Sequence, residues 1–216
     1  MKKQLIIIGT LSLFLLIVDQ IIKLYIKSNF LTWEHYDILG EWFKLRYTEN
    51  QGMAFGTKFG SQMWHKLTLS LFRLVAVCFI AYYIIREARK GVKTEYLVSI
   101  SLIFTGATGN LLDSMMHDFI FPFDPCHPYS WMEGSGVYEK CDDFALNFEV
   151  RHHGFLLGSV VDMFQFDMTW PEWVPLVGGG EVFPAIWNLA DACISIGVFM
   201  LLIRQKVYFP KKEKAT

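Results

Sequence analysis

Charge is what this sequence has least of. Only 19% of its 216 residues are Asp, Glu, Lys or Arg, and the formal net charge is −1 at pH 7. That balance excludes a basic nucleic-acid binder, and so apolar a chain is not an intrinsically disordered one. Cysteine is scarce as well: four residues are too few for a disulfide-dense secreted miniprotein. Internal repeats and low-complexity tracts are missing. A phosphate-cradling loop is missing too, because no strand precedes the Gly106 to Gly109 stretch and no Gly-Lys-Ser/Thr follows it. Apolar residues fill the space. They make up 53% before the 16 glycines are added, whereas a soluble domain reaches about 45–50% with glycine included. Mean hydropathy is positive. The surplus asks for a solvent other than water.

Four stretches are long and apolar enough to cross a bilayer as helices: about Leu5 to Ile26, Leu67 to Ile85, Tyr96 to Met116 and Phe183 to Ile203. Lys2 and Lys3 precede the first, Arg86, Arg89, Lys90 and Lys93 link the second to the third, and Arg204, Lys206, Lys211, Lys212 and Lys214 follow the fourth. In a four-span topology these 11 of the 20 basic residues fall on one side. The positive-inside rule makes that side cytoplasmic, so both termini are inside and both large loops outside. A cleaved signal peptide is the competing reading of the N-terminus. Its apolar run is too long, no small-x-small site follows, and Asp19 stands where such a site would begin.

The expected fold is therefore a mainly α membrane protein, a single four-helix domain over residues 1–216. Outer loop 27–66 is rich in aromatics, and Phe43, Leu45 and Tyr47 alternate with Lys44, Arg46 and Thr48, as in a strand. It predicts a small sheet at the membrane surface, with Trp and Tyr at headgroup depth. The second outer stretch, about His117 to Glu181, has no clear periodicity.

Polar residues in or beside the spans carry the most information, since burying them costs several kcal/mol unless they are paired or face a cavity. Asp19 and Lys23 are four apart on one helix face, fit for a structural ion pair or for a site. The stretch Asn50-Gln51-Gly52-Met53-Ala54-Phe55-Gly56 is either an ordinary surface turn or a hydrogen-bonding clamp. Gly109-Asn110-Leu111-Leu112-Asp113 ends the third span, with Gly106 and Gly109 on a small-residue face suited to close helix packing. Val160-Val161-Asp162 and Asn188-Leu189-Ala190-Asp191 add two carboxylates. Topology brings the whole set near the outer leaflet. Two carboxylates that face each other share a proton, and such a pair activates water with one member and protonates a leaving amine with the other.

These five motifs, in this order and on this topology, resemble the lipoprotein signal peptidase (signal peptidase II) family over most of the chain. The resemblance implies an aspartyl intramembrane endopeptidase of the bacterial inner membrane, with its active site near the periplasmic face. It implies removal of the signal peptide from prolipoproteins just before the diacylglyceryl-modified Cys. Asp162 and Asp191 match the catalytic pair, while Asp19, Lys23, Asn50, Gly52, Phe55, Gly109, Asn110, Asp113, Asn188 and Ala190 match residues that shape and hydrogen-bond the site. Prolipoprotein substrates and membrane lipids are the expected partners, the expected state is a monomer, and no nucleic acid or cofactor is called for. The aromatic loop around Phe55 is expected to cover the site.

Two departures stand out. The family pattern has Arg directly after the acid ending the third span, where this chain has Ser114, so that contact is either lost or supplied by another residue, with Arg151 the candidate. The separation of Asp113 from Asp162 is also several times the usual one, which marks about His117 to Leu157 as an insertion. Cys126 and Cys141 bracket part of it on the oxidising side and are expected to form a disulfide. Zinc binding with His127, His152 and His153 is the sharper alternative, but the spacing fits no usual zinc signature. His117, His35 and His65 read as loop and interface residues. Two other functions compete: a small proton-coupled transporter, disfavoured because no pair of interrupted helices suggests an inverted repeat, and a non-catalytic lipoprotein-binding protein, favoured only by Ser114.

Overall fold

The computed structural model describes residues 1–51, 60–142 and 146–209. Three long helices dominate: α1 (Lys2–Asn29), α2 (Met63–Arg89) and α3 (Thr94–Ile120). Between them and after them come strands β1 (His35–Leu39), β2 (Phe43–Asn50), β3 (Tyr138–Cys141), β4 (Leu146–Glu149), β5 (Val160–Phe166) and β6 (Ile186–Trp187), then helices α4 (Leu189–Ile203) and α5 (Gln205–Tyr208). Among the described residues, α1 and α2 are long and apolar enough to span a membrane. Only 17% and 11% of their most apolar windows are buried, the reverse of a core helix in water.

Contacts group the chain into two compact units. The first comprises Met1–Gln20, Arg73–Gly109 and Leu189–Thr216. Its core gathers Ile8, Ile84, Ala88, Tyr96, Leu97 and Ile100, with Leu5, Ile80 and Leu201 packed around them. Helix α2 ends at a left-handed glycine, Gly91 (φ 71°), which permits the short return to α3. α3 and α4 approach closely: a Cβ on Gly106 would strike the Ala190 carbonyl, and one on Gly197 would lie 2.5 Å from the Ser99 carbonyl oxygen. Small residues at such crossings let two helix backbones meet closely.

The second unit comprises Ile21–Phe72 and Asn110–Asn188. It holds an antiparallel sheet in the order β1-β2-β5-β6. Among the described residues, loop 27–66 supplies β1 and β2 to this sheet; the strand carrying Asp162 completes the centre. The core of this unit is Ile26, Tyr47, Val161 and Met163, set by the alternation of β2 and β5, which sends Tyr47 to one face and Thr48 to the other. A register shift between Leu45 and Thr48 places Thr48 opposite Asp162 and Asn50 opposite Val160. Bulges of this kind re-aim side chains beside functional sites.

Two sequence expectations are corrected. The fourth apolar stretch is not helical from Phe183: Ile186 and Trp187 pair with Gln165 and Phe164 as β6, so the helix starts at Leu189 and has 15 residues. The unperiodic outer stretch also contains regular structure, a two-stranded β3-β4 sheet and a 3-10 turn at Pro128–Ser130. A disulfide joins Cys126 to Cys141, their Cα atoms 5.1 Å apart. It closes the segment that carries Tyr129, whose hydroxyl donates to the Tyr47 carbonyl at 2.7 Å.

Candidate active site

Within the second unit, β5 presents Asp162 on the face of the sheet shared with Asn50. The carboxylate is buried, at 2% exposure. Asn50 Nδ2 donates to Oδ2 at 3.1 Å, and Asn188 Nδ2 donates to Oδ1 at 2.6 Å. Asn188 is the last residue before α4, so the end of β6 fixes its reach. Its amide also lies 3.3 Å from Asn110 Oδ1 and 3.3 Å from the Val161 carbonyl. Asn110 Oδ1 accepts in addition from Lys23 Nζ at 3.1 Å, and Lys23 Nζ stands 2.8 Å from Asp113 Oδ2. Lys23, Asp113 and Asn188 are fully buried. An unpaired charge there would cost several kcal/mol, so the cation and its carboxylate are obligate partners.

This chain of contacts sorts the sequence-derived residues. The second unit brings together Lys23, Asn50, Asn110, Asp113, Asp162 and Asn188. The first unit brings together Asp19, Gly109 and Ala190. Asp19 Oδ1 accepts from the Ala190 backbone N–H at 3.0 Å, so a carboxylate from α1 satisfies an otherwise orphan donor at the N-terminus of α4, where negative charge is favoured. A Cβ on Gly109 would lie 2.8 Å from Asp19 Oδ2 and 3.1 Å from Ala190 Cβ, so only glycine lets α3 pass at this point. Asp191 follows Ala190 directly, in the first turn of α4 and half-buried. That is nearer the helix start than the sequence suggested, because β6 takes up the residues before it. Gly52 and Phe55 lie outside the described residues.

Arg151 pairs with a carboxylate of α3, Asp118, four residues after Ser114. Its guanidinium forms a two-pronged pair with Asp118, Nη2 to Oδ1 at 2.7 Å and Nη1 to Oδ2 at 2.9 Å, the geometry that best suits a planar fork. Ser114 itself is fully buried. A Cβ on Gly158 would fall 2.6 Å from the Asp113 carbonyl oxygen and 3.2 Å from that of Ser114, and Gly158 N–H donates to Ser114 O at 3.0 Å. The backbone entering β5 therefore lies directly on this turn of α3.

The opposite face of β2 carries a second set of charges around an open cavity of about 160 Å³, lined by Lys27, Tyr47, Glu49, Asp118, His127 and Arg151 among others. Burial pushes the Glu49 carboxyl up, but Lys27 at 2.7 Å and the Tyr47 hydroxyl outweigh it and hold the acid down at about 2. Burial pushes the His127 imidazole down, so it is neutral at pH 7. The sulfurs of Cys126 and Cys141 are bonded to each other and offer no thiolate to a metal.

Three participants escaped the sequence reading. Gln51 Nε2 donates to Ser159 Oγ at 2.8 Å, clamping the residue after Asn50 to the residue before β5. His117 is fully buried in the last turn of α3 rather than placed in a loop. Its spacing of four from Asp113 was the available signal, since such residues share a helix face. Gly158 left no signal beyond being a glycine, because the helix turn it lies against is distant in sequence.

The chemistry available is that of carboxylates held by amides and a buried lysine. Comparison with known proteins gives the same direction. The family model for signal peptidase (SPase) II matches residues 11–207. The lipoprotein signal peptidase of Porphyromonas gingivalis is 36% identical over 203 residues, covering 91% of this chain and 81% of that protein. The one from Amoebophilus asiaticus is 32% identical over 206 residues, covering 91% and 76%. In fold, the chain is similar to a bacterial membrane enzyme solved by the in meso method, with a TM-score of 0.57 at 20% identity, covering 97% of this chain and 94% of that one.

Proposed function

Because the chain belongs to the signal peptidase II family, we propose that it removes the signal peptide from prolipoproteins by aspartic chemistry. Cleavage falls just before the diacylglyceryl-modified cysteine. Asp162 and Asp191 form the catalytic pair, one ionised to activate water and the other protonated to supply the leaving amine. The observation that carries this is the grip on Asp162: both of its oxygens accept from asparagine amides, and one of those asparagines, Asn188, precedes Asp191 by three residues. Asp19 supports the same reading from the other unit, since it anchors the helix turn in which Asp191 sits.

The substrate fits the setting. A signal peptide is an apolar helix that arrives from the bilayer, and α1 and α2 are helices of membrane-spanning length and composition. We take α3 and α4 as further spans, with both termini cytoplasmic and the acids toward the periplasmic side of the inner membrane, as the clustering of basic residues argues. The protein acts as a monomer on prolipoproteins in lipid.

The test is cleavage of a diacylglyceryl-prolipoprotein by purified protein in detergent or vesicles. The wild type is expected to cleave with a metal chelator present. Asp162→Asn and Asp191→Asn are each expected to fold normally and to lose cleavage by about 10⁴-fold or more, as removal of one member of a catalytic unit does. Full turnover by either variant removes that residue from the pair, and chelator-sensitive cleavage removes the aspartic mechanism.

A further inference from the structure

His117 is fully buried, yet neither half of the catalytic proposal uses it. Its Nδ1 lies 3.1 Å from the Ser159 carbonyl oxygen. A carbonyl only accepts, so Nδ1 carries the hydrogen and donates. The other ring nitrogen, Nε2, lies 3.5 Å from Asp113 Oδ1. One imidazole thus touches two things at once: the carboxylate whose second oxygen holds Lys23, and the backbone residue that leads into β5. Ser159 immediately precedes Val160, and its hydroxyl accepts from Gln51. The contacts on either side of the ring converge on Asp162. One route runs from Asp113 through Lys23, Asn110 and Asn188; the other runs along the strand itself.

We propose that His117, once doubly protonated, is a positioning residue for Asp162: Nδ1–H holds the Ser159 carbonyl and Nε2–H the Asp113 carboxylate, so that the entrance of β5 and the amide grip on Asp162 stay in register. The claim rests on the reading of Asp162 as a catalytic acid. With Nδ1 protonated, a neutral ring turns the Nε2 lone pair toward the Asp113 carboxylate, and a second proton converts that contact into a charge-assisted one. The contact therefore tightens when the ring is protonated. The charged groups that act on the ring are Asp113 on α3 and Lys23 and Lys27 on α1, while the β5 side offers the Ser159 carbonyl.

Two substitutions separate the ring's two contacts. In His117→Asn the amide reproduces the Nδ1 donor to Ser159 but reaches no further. In His117→Gln the longer side chain places its donor near the Nε2 position, toward Asp113. Cleavage of a diacylglyceryl-prolipoprotein is measured as kcat and KM from pH 5 to 9, alongside the melting temperature. On the acid side of that range we expect His117→Asn to lower kcat by about 10-fold or more at nearly unchanged KM, the signature of a displaced catalytic group. His117→Gln is expected to recover most of that loss with a flatter pH profile on the acid side. Wild-type kcat in His117→Asn overturns the proposal, as does a loss that appears in KM, or one that His117→Gln fails to restore. If the wild type itself does not cleave, the reading of the site fails first; if it cleaves and His117→Asn matches it, only the role of His117 falls.

Discussion

Lys23 shows how a single residue couples stability to the site. From sequence, Asp19 stood out as its partner because a spacing of four puts both on one helix face. The structure gives Lys23 a carboxylate from 90 positions away, Asp113, and no local pattern encodes such a pairing. Lys23→Met strands a buried Asp113 charge and is expected to destabilise the protein by about 3–5 kcal/mol, with cleavage lost as well. The double variant Lys23→Met/Asp113→Leu removes both charges, so most of the melting temperature is expected to return while activity does not. A double variant as unstable as the single one contradicts the pairing. Glu49 is a second residue with a readable consequence. Its pKa is depressed from an ordinary 4.5 to about 2 in the folded protein. A depressed acid contributes stability that is fully present above its unfolded value and is lost as pH falls through the folded one. Melting temperature is therefore expected to drop between about pH 4.5 and 2 in the wild type. In Glu49→Gln it should start lower at neutral pH and fall less across that window.

At the scale of elements, long apolar periodic stretches were legible and their edges were not. Helices α1, α2 and α3 stand where the apolar runs are, since a helix satisfies its backbone hydrogen bonds within one segment. The start of α4 was misplaced by six residues, since Phe183 to Trp187 are apolar enough to read as span while Ile186 and Trp187 bond to β5 instead. The five motifs named most of the residues that now touch one another. They marked Gly106 and Gly109 as a small-residue face; what they did not reveal is which atoms of other elements those glycines meet, a property of two elements rather than one. Gly109 is the clearest case. Gly109→Val places a branched side chain against Asp19 Oδ2 and Ala190 Cβ. It is expected to cost about 1–3 kcal/mol by overpacking and to reduce cleavage by loosening the turn that bears Asp191. The same substitution at Gly9 in α1, where nothing lies within 4 Å of a Cβ, meets no neighbour and serves as the control for steric cost.

For the molecule as a whole, the segment 117–157, which the sequence marks as an insertion, is the feature that could be outlined there but not interpreted. Its residues reach the back of β2 through Tyr129, at the face opposite Asp162, and the Cys126–Cys141 bond closes the loop that delivers it. A cross-link over a separation of 15 residues is worth about 3 kcal/mol in a chain-entropy model, or roughly 6–12 °C in melting temperature for a domain of this size. The Cys126→Ser/Cys141→Ser variant is accordingly expected to melt lower by that order. At temperatures where it stays folded it is expected to cleave at the wild-type rate, because the described hydrogen bonds to the Asp162 carboxylate come from Asn50 and Asn188 rather than from the cross-linked loop. A thiol reductant should lower the wild type toward the variant and leave the variant unchanged. If instead the variant melts normally but turns over slowly, the insertion acts on the substrate rather than on the fold, and its place behind β2 would have to be read as part of the binding surface.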